Sequence, residues 1–256
     1  MTPQKPDQLV APQWLFGQLR ATAFLGTPAA DTAGPALWEE TVHIPAPSEL
    51  RQRVGTAIVY QAEATFGSSQ LALRVEPSRV DLICNPSIGE PAVYPSIGTE
   101  EEALPVFLEY ASRLLASIKG GVLRVAFGTI LVSPVGAKEE GYHLLDALLP
   151  AVTVDPVDSQ DFLYRINRPR PLESITGNAN RLSEWSVVQV QGGILAVGPS
   201  GMLTVPLGPS QFALRLMLDI STAVDNAAAF ADNALKPLLD EVVGMGRDIW
   251  MRGDTL

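Results

Sequence analysis

The chain has 256 residues, 46% hydrophobic and 18% charged, with a single cysteine and a formal net charge of −10. Such a balance belongs to a globular chain of one large or two small domains and opposes broad binding to phosphate backbones. One thiol, Cys84, excludes an intramolecular disulfide and a cysteine-based metal site, and no apolar run approaches the ~20 residues of a membrane-spanning helix.

The first ~50 residues are rich in Pro, Ala, Gly and Thr around Trp14, Leu15, Phe16 and Trp38. They read as an irregular arm docked by its aromatics, with a first strand from Trp38 to Ile44, and they lack the apolar core of a secretory signal, so the expected location is the cytoplasm. Residues 51–135 read as a first half. Val54 to Phe66 alternates at period two, with Ile58, Tyr60, Ala62, Ala64 and Phe66 on one face. Gln70 to Val75 and Arg79 to Cys84 follow after short turns, as in an antiparallel meander. Pro-Ser-Ile-Gly then occurs twice, at Pro86 to Gly89 and at Pro95 to Gly98, as two similar turns. Thr99 and Glu102 form a capping-box pattern ahead of an amphipathic helix that ends at Gly120-Gly121, with Pro105 near its start. A strong strand, Val122 to Val132, closes this half.

Residues 136–256 loosely repeat the scheme, either as a second half or as part of one continuous domain. A short helix is expected over Glu139 to Leu149, and strands at Asp161 to Ile166, Trp185 to Gln191, Ile194 to Val197 and Gln211 to Ile220. Gln191-Gly192-Gly193 carries a hairpin signal, and Gly198-Pro199-Ser200-Gly201 reads as a tight turn. A long closing helix runs from about Asp225 to Met251, with Pro237 as a candidate kink. The fold class predicted is α+β: antiparallel sheet built from two β-meander-plus-helix halves, with the helices packed on one face.

No pattern for catalysis or a cofactor emerges. His43 and His143 lie in separate elements without further ligands, and Asp155, Asp158 and Asp161 lack the alternation and central glycine of a calcium loop, so they read as a solvated turn. Cys84 reads as a small buried hydrophobe. Neither a Gly-x-Ser-x-Gly elbow nor a phosphate-binding glycine loop occurs. No metal or cofactor is expected.

The compositional anomaly lies between Phe162 and Leu182, where Arg165, Arg168, Arg170 and Arg181 face a single acid, Glu173. Pro169 and Pro171 stiffen this stretch, and period two puts Tyr164, Ile166 and Arg168 on one face with Arg165 and Asn167 on the other. Guanidinium forks on a stiff loop suit carboxylate or phosphate. Asn178, Asn180, Ser183 and Trp185 add polar and ring groups. The candidate contact set is therefore Arg165, Asn167, Arg168, Arg170, Asn180, Arg181 and Trp185. The competing reading is that these arginines pair with the chain's own acids and pin a long loop.

On the stretches Phe162 to Arg170, Asn180 to Ser186 and Leu218-Asp219-Ile220 with its following helix, the chain resembles a sporadically distributed family of uncharacterised bacterial proteins. Some of these are similar to SecB-like chaperone and antitoxin folds. The resemblance implies a curved antiparallel sheet backed by long helices and a partner-binding role; it carries over no catalytic residue. The leading expectation is a non-enzymatic interaction or assembly factor whose partner is another protein or its own copy, with no membrane and no broad nucleic-acid binding. The rival is an anionic small-ligand or nucleotide site in the Arg165–Arg181 loop, with Tyr164 or Trp185 stacking on a base.

Overall fold

The computed structural model describes residues 11–29, 33–54, 57–66, 69–87, 94–119, 121–198, 201–223 and 228–254. Within them, ten strands form one antiparallel sheet: β1 (Leu15–Leu25), β2 (Ser48–Val54), β3 (Ala57–Phe66), β4 (Ser69–Glu76), β5 (Arg79–Pro86), β6 (Val122–Val135), β7 (Leu163–Asn167), β8 (Arg170–Pro171), β9 (Asn178–Gly198) and β10 (Gly201–Thr222). Their spatial order is β2-β3-β4-β5-β1-β6-β10-β9-β7, with β8 beside β9. Four helices join them: α1 (Ala33–Val42), α2 (Glu100–Ser117), α3 (Lys138–Leu148) and α4 (Leu235–Arg252).

The order contains two similar halves. In each, a first strand is followed by a helix and then by strands of which the last returns beside the first, and a second helix closes the half. β1 and β6, the two first strands, pair antiparallel at the centre. The fold is α+β with one shared sheet, as the alternation predicts.

All four helices pack on the same face. Alternation on β10 sends Leu214, Leu216, Leu218 and Ile220 to that side, and register carries the side across to Trp185 on β9, Phe127 and Leu131 on β6, and Leu19 and Ala21 on β1. Leu82, Leu73 and Ala62 extend it along β5, β4 and β3. α2 starts as the capping-box pattern requires, the Thr99 N–H donating to Glu102 Oε2 at 2.9 Å. Its buried residues, Leu104, Phe107, Ala111, Leu114 and Leu115, recur at helical spacing. Trp250 on α4 meets Phe16 edge-on at 5.6 Å, and Trp14 meets Trp185 at 6.3 Å, so an aromatic knot joins both halves beneath α4.

Four expectations are corrected. The region taken as an irregular arm contains β1, a central strand; a bulge between Phe16 and Gln18 breaks the alternation that would reveal it. Trp38 to Ile44 is not a strand, because Leu37, Trp38, Thr41 and Val42 are buried at helical spacing in α1. There Gly34 is required for contact, since a Cβ would come within 2.3 Å of the Tyr60 ring. Gln191 to Gly193 is no hairpin turn: β9 runs through it, and the reversal falls between Gly198 and Gly201. The closing helix begins at Leu235 after a 3-10 turn at Asp232–Ala234, with Pro237 in its first turn, where proline fits without a kink. Asp225 and the last two residues of the first Pro-Ser-Ile-Gly copy, Ile88 and Gly89, lie outside the described residues.

Candidate functional site

The arginines predicted between Phe162 and Leu182 divide between the two faces as period two requires. Arg168 turns to the helix side, where its Nε lies 3.1 Å from both carboxylate oxygens of Asp254, just beyond α4. The Tyr164 hydroxyl donates to Asp254 Oδ2 at 3.0 Å. Asp254 is 4% exposed, so this is a buried ion pair with a third hydrogen-bonding group. Burial works against the charged form of Arg168, but the bond to Asp254 more than offsets it and the pKa rises.

Arg181 also faces the helices. Burial, helped by the neighbouring Arg170, lowers its pKa against the pull of Asp248 and Asp254. Arg170 itself sits in β8, paired with Ala179. Asn167 donates from Nδ2 to Asn180 Oδ1 at 3.0 Å and accepts from the Arg181 N–H at 2.9 Å, which clamps β7 to β9. Trp185 is fully buried, under Trp14. Stacking of a base on Trp185 is corrected, because that ring lies in the core; Tyr164 is partly buried, with its hydroxyl held by Asp254. Within this set Arg168 ties β7 to the end of α4, while Asn167, Asn180 and the Arg181 N–H join β7 to β9.

Of the four arginines, Arg165 alone projects to the opposite, helix-free face, with its side chain 61% exposed and Nε 3.8 Å from Glu184. That face holds residues the sequence reading missed. Cross-strand register aligns Arg20, Gly128, Asp219, Leu182 and Asn167 in one row, and Gln18, Ile130, Met217, Glu184 and Arg165 in the next. Arg20 reaches Asp219 at 3.3 Å, and Arg215 reaches Glu184 at 3.3 Å. Between the rows lies an open trough of about 230 Å³, lined by Gln18, Arg20, Ile130, Arg165, Met217 and Asp219 among others. Gly128 forms its floor: a Cβ there would meet the Arg20 guanidinium at 3.0 Å.

Farther along the same face Phe24 lies between two arginines. Arg124 stands 4.7 Å and Arg79 5.6 Å from its ring centroid, from strands on either side. Arg79 is held by buried Asp81, which also accepts from the Thr22 hydroxyl at 2.6 Å. Arg124 donates to Ser221 Oγ at 2.5 Å and, among the described residues, has no carboxylate within 4.0 Å. Burial lowers its pKa, the Arg79 charge adds to this, and Asp219 opposes it.

The remaining candidates are structural. Asp155 Oδ1 accepts the N–H groups of Val157 at 2.9 Å and Asp158 at 3.0 Å, a turn-closing pattern that lowers its pKa. Among the described residues no group of three His, Cys, Asp or Glu side chains could hold a metal. His43 ends α1, and His143 is an exposed residue of α3. Burial pushes the Cys84 thiol up in pKa, against a hydrogen bond with Ser69; the thiol lines an apolar cavity of about 200 Å³ with Leu71, Ile97, Phe107 and Tyr110. No helix among the described residues is long and apolar enough to cross a membrane.

Comparison with protein-family models, curated proteins and solved structures gives no match to this chain.

Proposed function

We propose that the chain is a non-enzymatic, cytoplasmic interaction protein, antitoxin-like or SecB-like in role, which binds another polypeptide or a second copy of itself on the helix-free face of its sheet. The observation that carries this reading is the composition of that face. Half-exposed apolar side chains, Ile130, Val132, Met217 and Leu182, sit among half-exposed arginines on the central strands. A patch with apolar contacts, arginine anchors and few lysines is what protein interfaces select. Every charge on a sheet's solvent side is cheap in water, but an arginine laid flat across a neighbouring strand is already ordered and loses little freedom on binding.

The test is a photo-crosslinking amino acid placed at Met217, on the open face, or at Met251, exposed on α4, in the native host. The expected result is a recurring covalent adduct with one polypeptide, identified by mass spectrometry, from position 217 and none from 251. Equal labelling from both positions, or none from 217, contradicts the reading.

A further inference from the structure

We infer that the trough on the helix-free face receives an extended acidic-apolar-acidic segment of its polypeptide partner, one carboxylate at Arg20 and a second at Arg165. This rests on the partner-binding reading above and names the chemistry of the partner.

The geometry is set by register. Arg20 on β1 and Arg165 on β7 stand at opposite ends of the trough, with β6, β10 and β9 between them. Four inter-strand steps put the two strands about 19 Å apart. Ile130, Met217 and Leu182 occupy the floor between. An extended chain covers about 19 Å in some six residues, so acids at the ends of a seven-residue stretch reach both arginines while the residues between lie over the apolar floor.

Charge supports the same occupant. In the trough itself Arg20 and Arg165 are matched by Asp219 and Glu184; over the wider open face from β5 to β7, Arg79, Arg124 and Arg215 against Asp81 leave an excess of positive charge. This net positive strip belongs to a chain whose total is −10, so the rest of the chain is more acidic still. The arginines also have donors to give: a guanidinium carries five N–H groups, the Arg165 side chain is 61% exposed with Glu184 no nearer than 3.8 Å, and an incoming carboxylate can accept two N–H groups of one guanidinium at once. A nucleic acid fits less well. Asp219 and Glu184 are set inside the strip, and a phosphate backbone would also meet the acidic remainder of the chain.

The experiment titrates the full chain with the peptide Glu-Leu-Ser-Leu-Ser-Leu-Glu, its counterpart with Lys in both Glu positions, and oligouridylate, followed by fluorescence anisotropy. The Glu peptide is expected to bind, more weakly as salt rises, while the Lys peptide and the RNA do not. Arg20→Gln and Arg165→Gln are each expected to weaken binding at least tenfold, with Lys236→Gln on the opposite face unchanged. Arg165 is mostly exposed, so its variant tests the site even if Arg20→Gln fails to fold. Equal binding of the Lys peptide, preferential binding of the RNA, or no binding of the Glu peptide overturns the acidic preference, as does a Glu peptide indifferent to both variants. In each of these cases crosslinking from Met217 still decides separately whether the face binds a partner at all.

Discussion

The two faces of the sheet are made by the same strands and carry different residues. β10 shows the contrast within one segment: Leu214, Leu216, Leu218 and Ile220 alternate with Arg215, Met217, Asp219 and Ser221. The first set is buried beneath α3 and α4; in the second, Arg215, Met217 and Asp219 remain half-exposed, and the charges pair across strands. Period two thus puts the packed side chains of a strand on one face of the sheet and its charged, half-exposed ones on the other. A residue and its immediate neighbour then differ in what their loss should do.

Among truncations and charge removals the largest effect is expected at Trp185, fully buried in the aromatic knot. Trp185→Ala should cost about 3–5 kcal/mol in denaturant unfolding, whereas Glu184→Gln next to it, on the open face, should cost less than about 1 kcal/mol. Comparable losses at both positions would erase the distinction between the faces. Next is the pair that fixes β7 to the end of α4. Asp254→Asn removes one charge from a buried ion pair and should cost about 3 kcal/mol; a loss within about 0.5 kcal/mol would mean that the pair does not fasten this edge.

A smaller effect belongs to Glu241 on α4. Burial raises its pKa, but the Ser174 hydroxyl and the N–H groups of Glu173 and Ser174 outweigh that and lower it. With the folded pKa depressed, its contribution is present above the unfolded carboxylate value and disappears as pH falls through the folded one. Glu241→Gln should therefore cost about 1 kcal/mol at neutral pH and nothing in strong acid. A pH-independent difference would show that the charge is not what matters. The smallest signal is chemical. The raised pKa of Cys84 keeps its thiol protonated at neutral pH, so a maleimide should react slowly with the folded chain and readily after denaturation. Fast labelling of the folded form would place that thiol outside the covered face.

Much of the covered face was legible in the sequence, because burial imposes periodicity. Tyr60, Ala62 and Ala64 on β3, and Leu104, Phe107 and Leu114 on α2, follow the patterns expected of a half-buried strand and an amphipathic helix. β1 escaped because one bulge shifts its alternation at Gly17, and α1 because a β-favouring Trp-Thr-Val set sits at helical spacing in a Pro-rich stretch. The open face was harder to see. Its arginines come from separate strands, Arg20, Arg124 and Arg215 standing far apart in the chain, and only pairing brings them together. The visible cluster, Arg165 to Arg181, stands out by local density, yet Arg168 holds the fold and Arg165 is the one arginine of the four that turns to the open face. A signal for the others did exist: Arg215 and Asp219 are the two charges inside an otherwise uncharged strand from Phe212 to Ile220.

The most direct measurement compares Leu216→Lys with Met217→Lys, adjacent residues on opposite faces, for melting and for retention of the polypeptide crosslinked from the open face. Leu216→Lys should unfold the chain or cost it about 4 kcal/mol or more. Met217→Lys should melt like the parent and lose the partner; a Met217→Lys chain that is folded and keeps its partner would contradict the assignment of binding to this face.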